Sequence, residues 1–228
     1  MSTLSPELLL ATWERARDQT PSARAKALLE AARVDAGADA TSIGRRDREL
    51  LAIFLENFGS TFRGVGTCVS CGTELELTLE AQTLLAEPVK QGAPVVAIDG
   101  MDVPLRLPSV DDVLAASAAT EPSRQLAALC SGLGAASLTH DNVVLIVDAV
   151  LAADPLLDPQ MAGTCPECGA DQEFGLDVAG FLWERVEARA HRLMGQVHLL
   201  ARAYGWSERD ILALPPARRS AYLAMVTA

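Results

Sequence analysis

Cys68-Val69-Ser70-Cys71-Gly72 and Cys165-Pro166-Glu167-Cys168-Gly169 are two CxxCG knuckles, and the fold follows from reading them together. A two-residue gap lets a tight turn aim both sulfurs at one ion, and the glycine after the second cysteine tolerates a left-handed backbone. The likeness continues beyond the turns at a constant offset of 97 positions: Thr67 matches Thr164, Glu76 matches Glu173, Leu77 matches Phe174 and Leu79 matches Leu176. Each knuckle therefore opens the same kind of strand. Two ligands leave two tetrahedral positions open, and no histidine lies within a few residues of either pair. The two pairs are accordingly expected to form one four-cysteine site, with Cys68, Cys71, Cys165 and Cys168 holding a single structural Zn2+.

The two halves of this zinc-ribbon-like pattern are separated by 93 residues. Closing so long a loop opposes a large chain entropy, and zinc binding worth about 10–16 kcal/mol in small peptides is enough to fix the topology. Competing readings are a degenerate, metal-free site and a pair of disulfides. Four thiolates leave no coordination position for water, which argues against metal-assisted hydrolysis. The fifth cysteine, Cys130, follows Leu126-Ala127-Ala128-Leu129 and reads as a buried small residue rather than a nucleophile.

Outward from the knuckles, the flanks are helical. Ser5-Pro6-Glu7 and Thr20-Pro21 are helix starts, with a capping hydroxyl followed by proline at the first helical position. A third helix is expected from about Arg45 to Phe58, stopped by Gly59. Leu75, Leu77 and Leu79 alternate with Glu74, Glu76, Thr78 and Glu80, which is strand periodicity. Val95 to Ile98 and Val103 to Leu107 flank Asp99-Gly100, a strong hairpin signal. Helices are expected again from Ser109, from Thr120-Glu121-Pro122 and from Thr139 to Ala153. From Asp177 to Tyr204, apolar residues recur at three- and four-residue steps, giving one long helix. Gly205-Trp206-Ser207 ends it, with Ser207 and Asp210 at capping-box spacing, and Arg218 to Val226 closes the chain as a short amphipathic helix.

These elements make an α+β, predominantly helical protein. The expected regions are helical residues 1–63, a zinc-ribbon-like β unit over 64–180 with a hairpin-plus-helices insertion at about 81–155, and a helical tail over 181–228. All three are expected to pack as one compact unit.

Composition narrows function. Half of the 228 residues are apolar, ample for a core, and the formal net charge is −11. Residues 64–183 hold 3 basic and 17 acidic side chains, whereas residues 184–228 hold 7 and 4. An acidic block that contains both knuckles is the wrong sign for a phosphate backbone, and aromatics at 4 % supply no stacking platform. No apolar run reaches the roughly 18–20 residues of a membrane helix, and residues 1–15 lack signal-peptide organisation. The expected setting is cytoplasmic and soluble, without membrane insertion or a small-molecule substrate.

Other candidate chemistry is thin. His191 and His198, with Glu184 and Glu187, form a stripe on the long helix that reads as a polar flank. His140 sits at a helix start, where local capping is the simpler role. Gly64-Val65-Gly66 lacks the third glycine and the helix of a dinucleotide fingerprint. Arg185, Arg189 and Arg192 form a second stripe. Tyr204, Trp206 and Tyr222 gather near the carboxyl end, Trp206 reading as core and Tyr222 as either core or interface anchor.

The runs Phe181-Leu182-Trp183, Val197 to Glu208, Asp210 to Leu214 and Arg218-Arg219-Ser220-Ala221-Tyr222-Leu223, together with the knuckles, resemble the baseplate or baseplate-hub assembly proteins of T-even-type contractile-tailed phages. The likeness is nearest to zinc-knuckle versions found with bacterial contractile injection systems, and strongest from Thr164 to Val226. It implies a non-enzymatic assembly chaperone or minor structural component, with baseplate, hub or spike proteins as partners, in the bacterial cytoplasm or incorporated into a phage-tail-like particle. Arg185, Arg189, Arg192, Trp206, Arg218, Arg219 and Tyr222 are the candidate partner-binding residues. Paired cysteines depart from the phage members. The alternative is a nucleic-acid-binding or transcription-associated zinc ribbon.

Overall fold

Each knuckle forms the tip of an antiparallel hairpin. In a computed structural model describing residues 3–33, 42–86 and 92–227, strand β1 (Thr61–Thr67) pairs with β2 (Glu74–Glu80), and β5 (Gln160–Thr164) pairs with β6 (Asp171–Gly175). Only the second strand of each pair is legible in the sequence. Strand β1 escapes because Gly64 and Gly66 dilute its alternation, and β5 because five residues carry too short a pattern. Both hairpins share one register: Thr67 opposes Glu74 as Thr164 opposes Asp171, and Gly66 opposes Leu75 as Gly163 opposes Gln172. The repeat read at an offset of 97 positions is thus a repeat of whole hairpins.

The chain divides into two compact units that cut across the three sequential regions. One comprises residues 1–36, 56–58 and 178–228, and the other residues 37–55 and 59–177. The amino-terminal helices therefore belong with the carboxyl-terminal tail, while most of the third helix belongs with the cysteine-bearing centre.

In the first unit, α1 (Pro6–Ala16) and α2 (Pro21–Ala31) start as expected, Ser5 accepting from the Leu8 amide at 3.2 Å and Thr20 from the Ala23 amide at 3.4 Å. They pack on α8 (Val178–Tyr204). Leu9, Trp13 and Leu28 are buried, and so are Leu182, Val186, Ala190 and Leu193, one stripe of α8. Gly205, at φ 69°, stops α8, and Ser207 caps α9 (Glu208–Leu212) by accepting from the Asp210 amide at 3.2 Å. The last helix is α10 (Pro216–Thr227).

In the second unit, α3 (Ile43–Asn57) buries Leu50, Leu51, Ile53 and Phe54, the last stacked on Phe62 of β1 at 4.4 Å between ring centroids. The short helix α4 (Ala81–Ala86) follows β2 and has no counterpart among the sequence expectations. The insertion begins with a third hairpin, β3 (Val95–Ile98) and β4 (Met101–Pro104), whose turn places Asp99 and Gly100 at φ 50° and 79°. Its strands share a core with α6 (Pro122–Ser131) and α7 (His140–Ala153), in which Val96, Ile98, Val103, Leu105, Ala127, Ile146 and Val150 are buried.

One polar lock ties this insertion together. Asp112, in α5 (Val110–Ser117), accepts from the Ser109 amide at 2.8 Å, while Ser109 Oγ accepts from the Asp112 amide at 3.3 Å. Arg106 donates to both Asp112 oxygens, at 2.5 and 2.6 Å. This guanidinium, helped by Ser109, holds the Asp112 carboxyl well below its ordinary value. A depressed carboxyl contributes stability above its unfolded-state pKa and loses it as pH falls toward the folded value. Asp112→Ala should therefore cost about 1–2 kcal/mol at neutral pH. In urea unfolding followed by circular dichroism, the gap from the wild type should narrow once the pH drops below about 4.

Candidate metal centre

The hairpin tips fold alike for a local reason. Cys68 donates its amide to the Thr73 carbonyl and receives the Gly72 amide on its own carbonyl, each at 2.9 Å. Cys165 makes the same two bonds with Ala170 and Gly169, also at 2.9 Å. Gly72 and Gly169 take φ values of 77° and 70°, where a side chain would be strained, so the glycine of each knuckle is a backbone requirement. In both tips the first cysteine turns inward, Cys68 and Cys165 each 1 % exposed, and the second, Cys71 or Cys168, faces solvent.

The two tips meet face to face. Cys68 Sγ lies 3.7 Å from Cys168 Sγ, and Cys71 Sγ lies 3.6 Å from Cys165 Sγ. All four sulfurs fall within 4.8 Å of one another. Zinc–sulfur bonds of about 2.3 Å make a tetrahedron with edges of about 3.8 Å, close to the observed separations. A disulfide would need about 2.05 Å, and all four thiols are free. The structure thus brings together the four cysteines selected from sequence, in an arrangement that could hold a metal ion.

The contacts between the hairpins are reciprocal. Exchanging each residue for its equivalent 97 positions away turns the Cys68–Cys168 pair into the Cys165–Cys71 pair. The packing around the sulfurs obeys the same exchange. A Cβ on Gly66 would sit 2.5 Å from the Phe174 ring, and a Cβ on the equivalent Gly163 would sit 2.8 Å from the side chain of Leu77, itself the equivalent of Phe174. Each hairpin thus leaves a gap that the other's apolar residue fills. Leu75 and Phe174 pack beside Cys68 and Cys165 and close the inner side of the cluster. Gln172 departs from the symmetry: it stands where the first hairpin has Leu75, and accepts the Val69 amide at 2.9 Å. Gly66, Gly163 and Gln172 are not among the sequence candidates, although the glycines fall on the same 97-residue offset.

Electrostatics around the sulfurs favour a cation. Burial opposes ionisation of Cys68, but the Cys71 and Ser70 amides aimed at its sulfur bring it below the ordinary thiol value. The Thr73 hydroxyl and amide bring Cys71 down to about 6. At Cys168 the Ala170 amide also favours the thiolate, yet the Cys71 thiol, burial and the remaining sulfurs push it up to about 12. The backbone therefore prepares the first thiolates, and full ionisation needs a positive charge among them.

Other candidates separate into structural and exposed groups. Cys130 is 4 % exposed, beside a cavity of about 270 Å³ lined by Leu126, Ile146, Val150 and other apolar groups, and burial pushes its thiol up to about 11. It is a core residue. Arg219, read from sequence as partner-facing, is 5 % exposed and donates to the Leu212 and Leu214 carbonyls at 3.3 and 3.5 Å. Arg189 donates to the Asn57 carbonyl at 2.9 Å and lies over Phe58. Both arginines hold the fold of the first unit, a role hidden from sequence because their acceptors are backbone carbonyls. Arg185 lies over Phe181, while Arg192 and Arg218 are exposed. Trp206 is only half-buried, stacked on Tyr204 at 4.7 Å and edge-on to Tyr222 at 4.9 Å. His191 packs edge-on against Trp13, and Glu187 accepts from the Trp13 indole at 3.5 Å, so these two serve helix packing, while Glu184 and His198 of the same stripe are exposed. No helix among the described residues is long and apolar enough to cross a membrane.

Gly66→Ala should drive a methyl into the Phe174 ring and destabilise the second unit by about 1–3 kcal/mol. Adding Phe174→Leu should recover part of that loss in the same urea titration, whereas Phe174→Leu alone should be destabilising. No family model, curated protein or solved structure matches the chain.

Proposed function

We propose that the protein is a non-enzymatic assembly factor or minor component of a contractile tail baseplate or hub, built around one structural zinc ion. The observation that carries the structural role is the tetrad: four sulfurs within 4.8 Å of one another, two pairs of them at 3.6 and 3.7 Å, would leave a zinc bound by all four no position for water or substrate. Zinc suits four thiolates at this spacing better than a hard cation, which prefers oxygen. The ion would join hairpins that bracket the insertion, setting its two ends side by side.

The assembly role is supported by the resemblance of residues 164–226 to baseplate assembly proteins and by the surface of the first unit. There, Arg192 and Arg218 are exposed, and Tyr204, Trp206 and Tyr222 form a partly exposed aromatic cluster. Aromatic and arginine side chains are the groups that most often dominate protein interfaces. Cys130, the thiol outside the tetrad, is buried and protonated at neutral pH, so it is no nucleophile.

Two measurements test these parts separately. Protein purified without chelator should contain one zinc per chain by elemental analysis, and serine at Cys68 or Cys165 should abolish retention; a metal-free wild type that resists loading would overturn the zinc reading. For the role, the full chain should co-purify with sheath, tube or spike proteins encoded beside it. The pair Arg192→Glu and Arg218→Glu should lose that association with unchanged circular dichroism. Neighbouring genes unrelated to tail assembly, or particles that form normally without the protein, would count against it.

A further inference from the structure

The tetrad divides its four sulfurs unequally between solvent and core. Cys71 and Cys168 are open to solvent, while Cys68 and Cys165 are each 1 % exposed. The exposed sulfur of each hairpin is 3.6 or 3.7 Å from the buried sulfur of the other. We infer that the site is also a peroxide-modifiable centre, in which oxidation replaces the metal clip by two disulfides between the hairpins, Cys71 with Cys165 and Cys168 with Cys68. This inference rests on the zinc reading only for the ion that is displaced; the proposed pairs join the exposed cysteine of each hairpin to the buried cysteine of the other, at the 3.6 and 3.7 Å separations.

The chemistry balances with hydrogen peroxide as the named oxidant. An exposed thiolate attacks one peroxide oxygen, the O–O bond breaks, and a sulfenic acid forms with release of hydroxide. The buried thiolate facing it attacks the sulfenic sulfur, an S–S bond forms, the S–O bond breaks, and a second hydroxide leaves. The two thiolates of each pair give up two electrons to one peroxide as their disulfide forms. Two such events convert a tetrathiolate with its zinc into two disulfides, one free Zn2+ and four hydroxides. Access and nucleophile are supplied by Cys71 and Cys168, and the resolving thiolates by Cys165 and Cys68.

The pairing matters for the fold. A disulfide within a knuckle, Cys68 with Cys71 or Cys165 with Cys168, would close a turn already closed by backbone hydrogen bonds and leave the hairpins unlinked. A disulfide between knuckles keeps the ends of the insertion tied together after the ion has left. The same four residues would then serve as an ionic clip in a reducing compartment and a covalent one in an oxidising one.

The test uses full-length protein carrying Cys130→Ser, so that the remaining thiols are those of the tetrad. Metal content is measured first, and zinc release during peroxide treatment is followed with a chromogenic chelator. Disulfides are then mapped by mass spectrometry after non-reducing proteolysis. The expected result is one zinc released per chain, with linked peptides joining Cys71 to Cys165 and Cys68 to Cys168. Oxidised protein should also unfold at a higher temperature than reduced protein stripped by chelator. Disulfides confined to each knuckle, sulfinic or sulfonic products at Cys71 and Cys168, or retention of zinc under excess peroxide would each overturn the inference. A chain that starts without zinc but still forms the cross-hairpin pairs would remove the zinc reading and leave the sulfur pairing intact; knuckle-internal pairs from that same chain would remove both.

Discussion

The cysteine-bearing part of the second unit is organised by the meeting of two hairpin tips that 93 residues of chain separate. Two-stranded hairpins are marginal on their own, because a single pair of strands buries too little apolar surface. Here β1–β2 and β5–β6 each contribute two of four sulfurs that lie within 4.8 Å of one another and could hold a metal ion. A metal ion held by both hairpins would stabilise the folded chain, offsetting the entropy lost in bringing the ends of the insertion together. The insertion has its own apolar core of strands β3 and β4 with helices α6 and α7. An ion there would therefore not be needed to hold the insertion's interior together; it would fix where that interior begins and ends.

The reciprocal fit of the two hairpins explains why small residues sit where they do. Facing hairpins can approach closely only if each leaves room for the other's side chains, and the glycines at 66 and 163 supply that room for Phe174 and Leu77. The phenylalanine is larger than the leucine, so the two halves differ in volume while keeping one pattern of contacts. The extra bond from the Val69 amide to Gln172 belongs to one half alone. Gln172 is 7 % exposed, and this acceptor role, with its own donation to the Asp171 carbonyl at 2.8 Å, satisfies an amide that would otherwise be costly to bury.

What can be read from the sequence is what local chemistry dictates. Ser5, Thr20, Ser109, Thr139 and Ser207 are legible as caps because a hydroxyl accepting an amide three residues on needs no tertiary information. The four cysteines of the tetrad are legible because the knuckle needs two cysteines and a left-handed glycine at fixed spacing. Strands β1 and β5 are not, since their apolar alternation is interrupted and their stability comes from pairing. Nor is the grouping of α1 and α2 with α8, which depends on contacts between segments at opposite ends of the chain. Arg219 shows the same limit at one side chain. On a helical wheel it is an outward cation, but the end of α9 presents carbonyls that need a donor, and the arginine turns inward to supply it.

Charge decides what such a centre can face. Four thiolates around one divalent ion carry a net charge of −2, and Glu74, Glu76, Asp171 and Glu173 add exposed carboxylates on the same hairpins. A ribbon that grips nucleic acid reverses this pattern, placing lysine and arginine along the strands so that phosphates release counterions on binding. Arg63 is the sole cation on the four strands, against Glu80 and the four carboxylates just named. A macromolecule that docked on the hairpins would need cations of its own to match their carboxylates. That requirement weighs against the nucleic-acid alternative and toward a protein surface, since arginine and lysine side chains on a protein can pair with these carboxylates at no cost in phosphate repulsion.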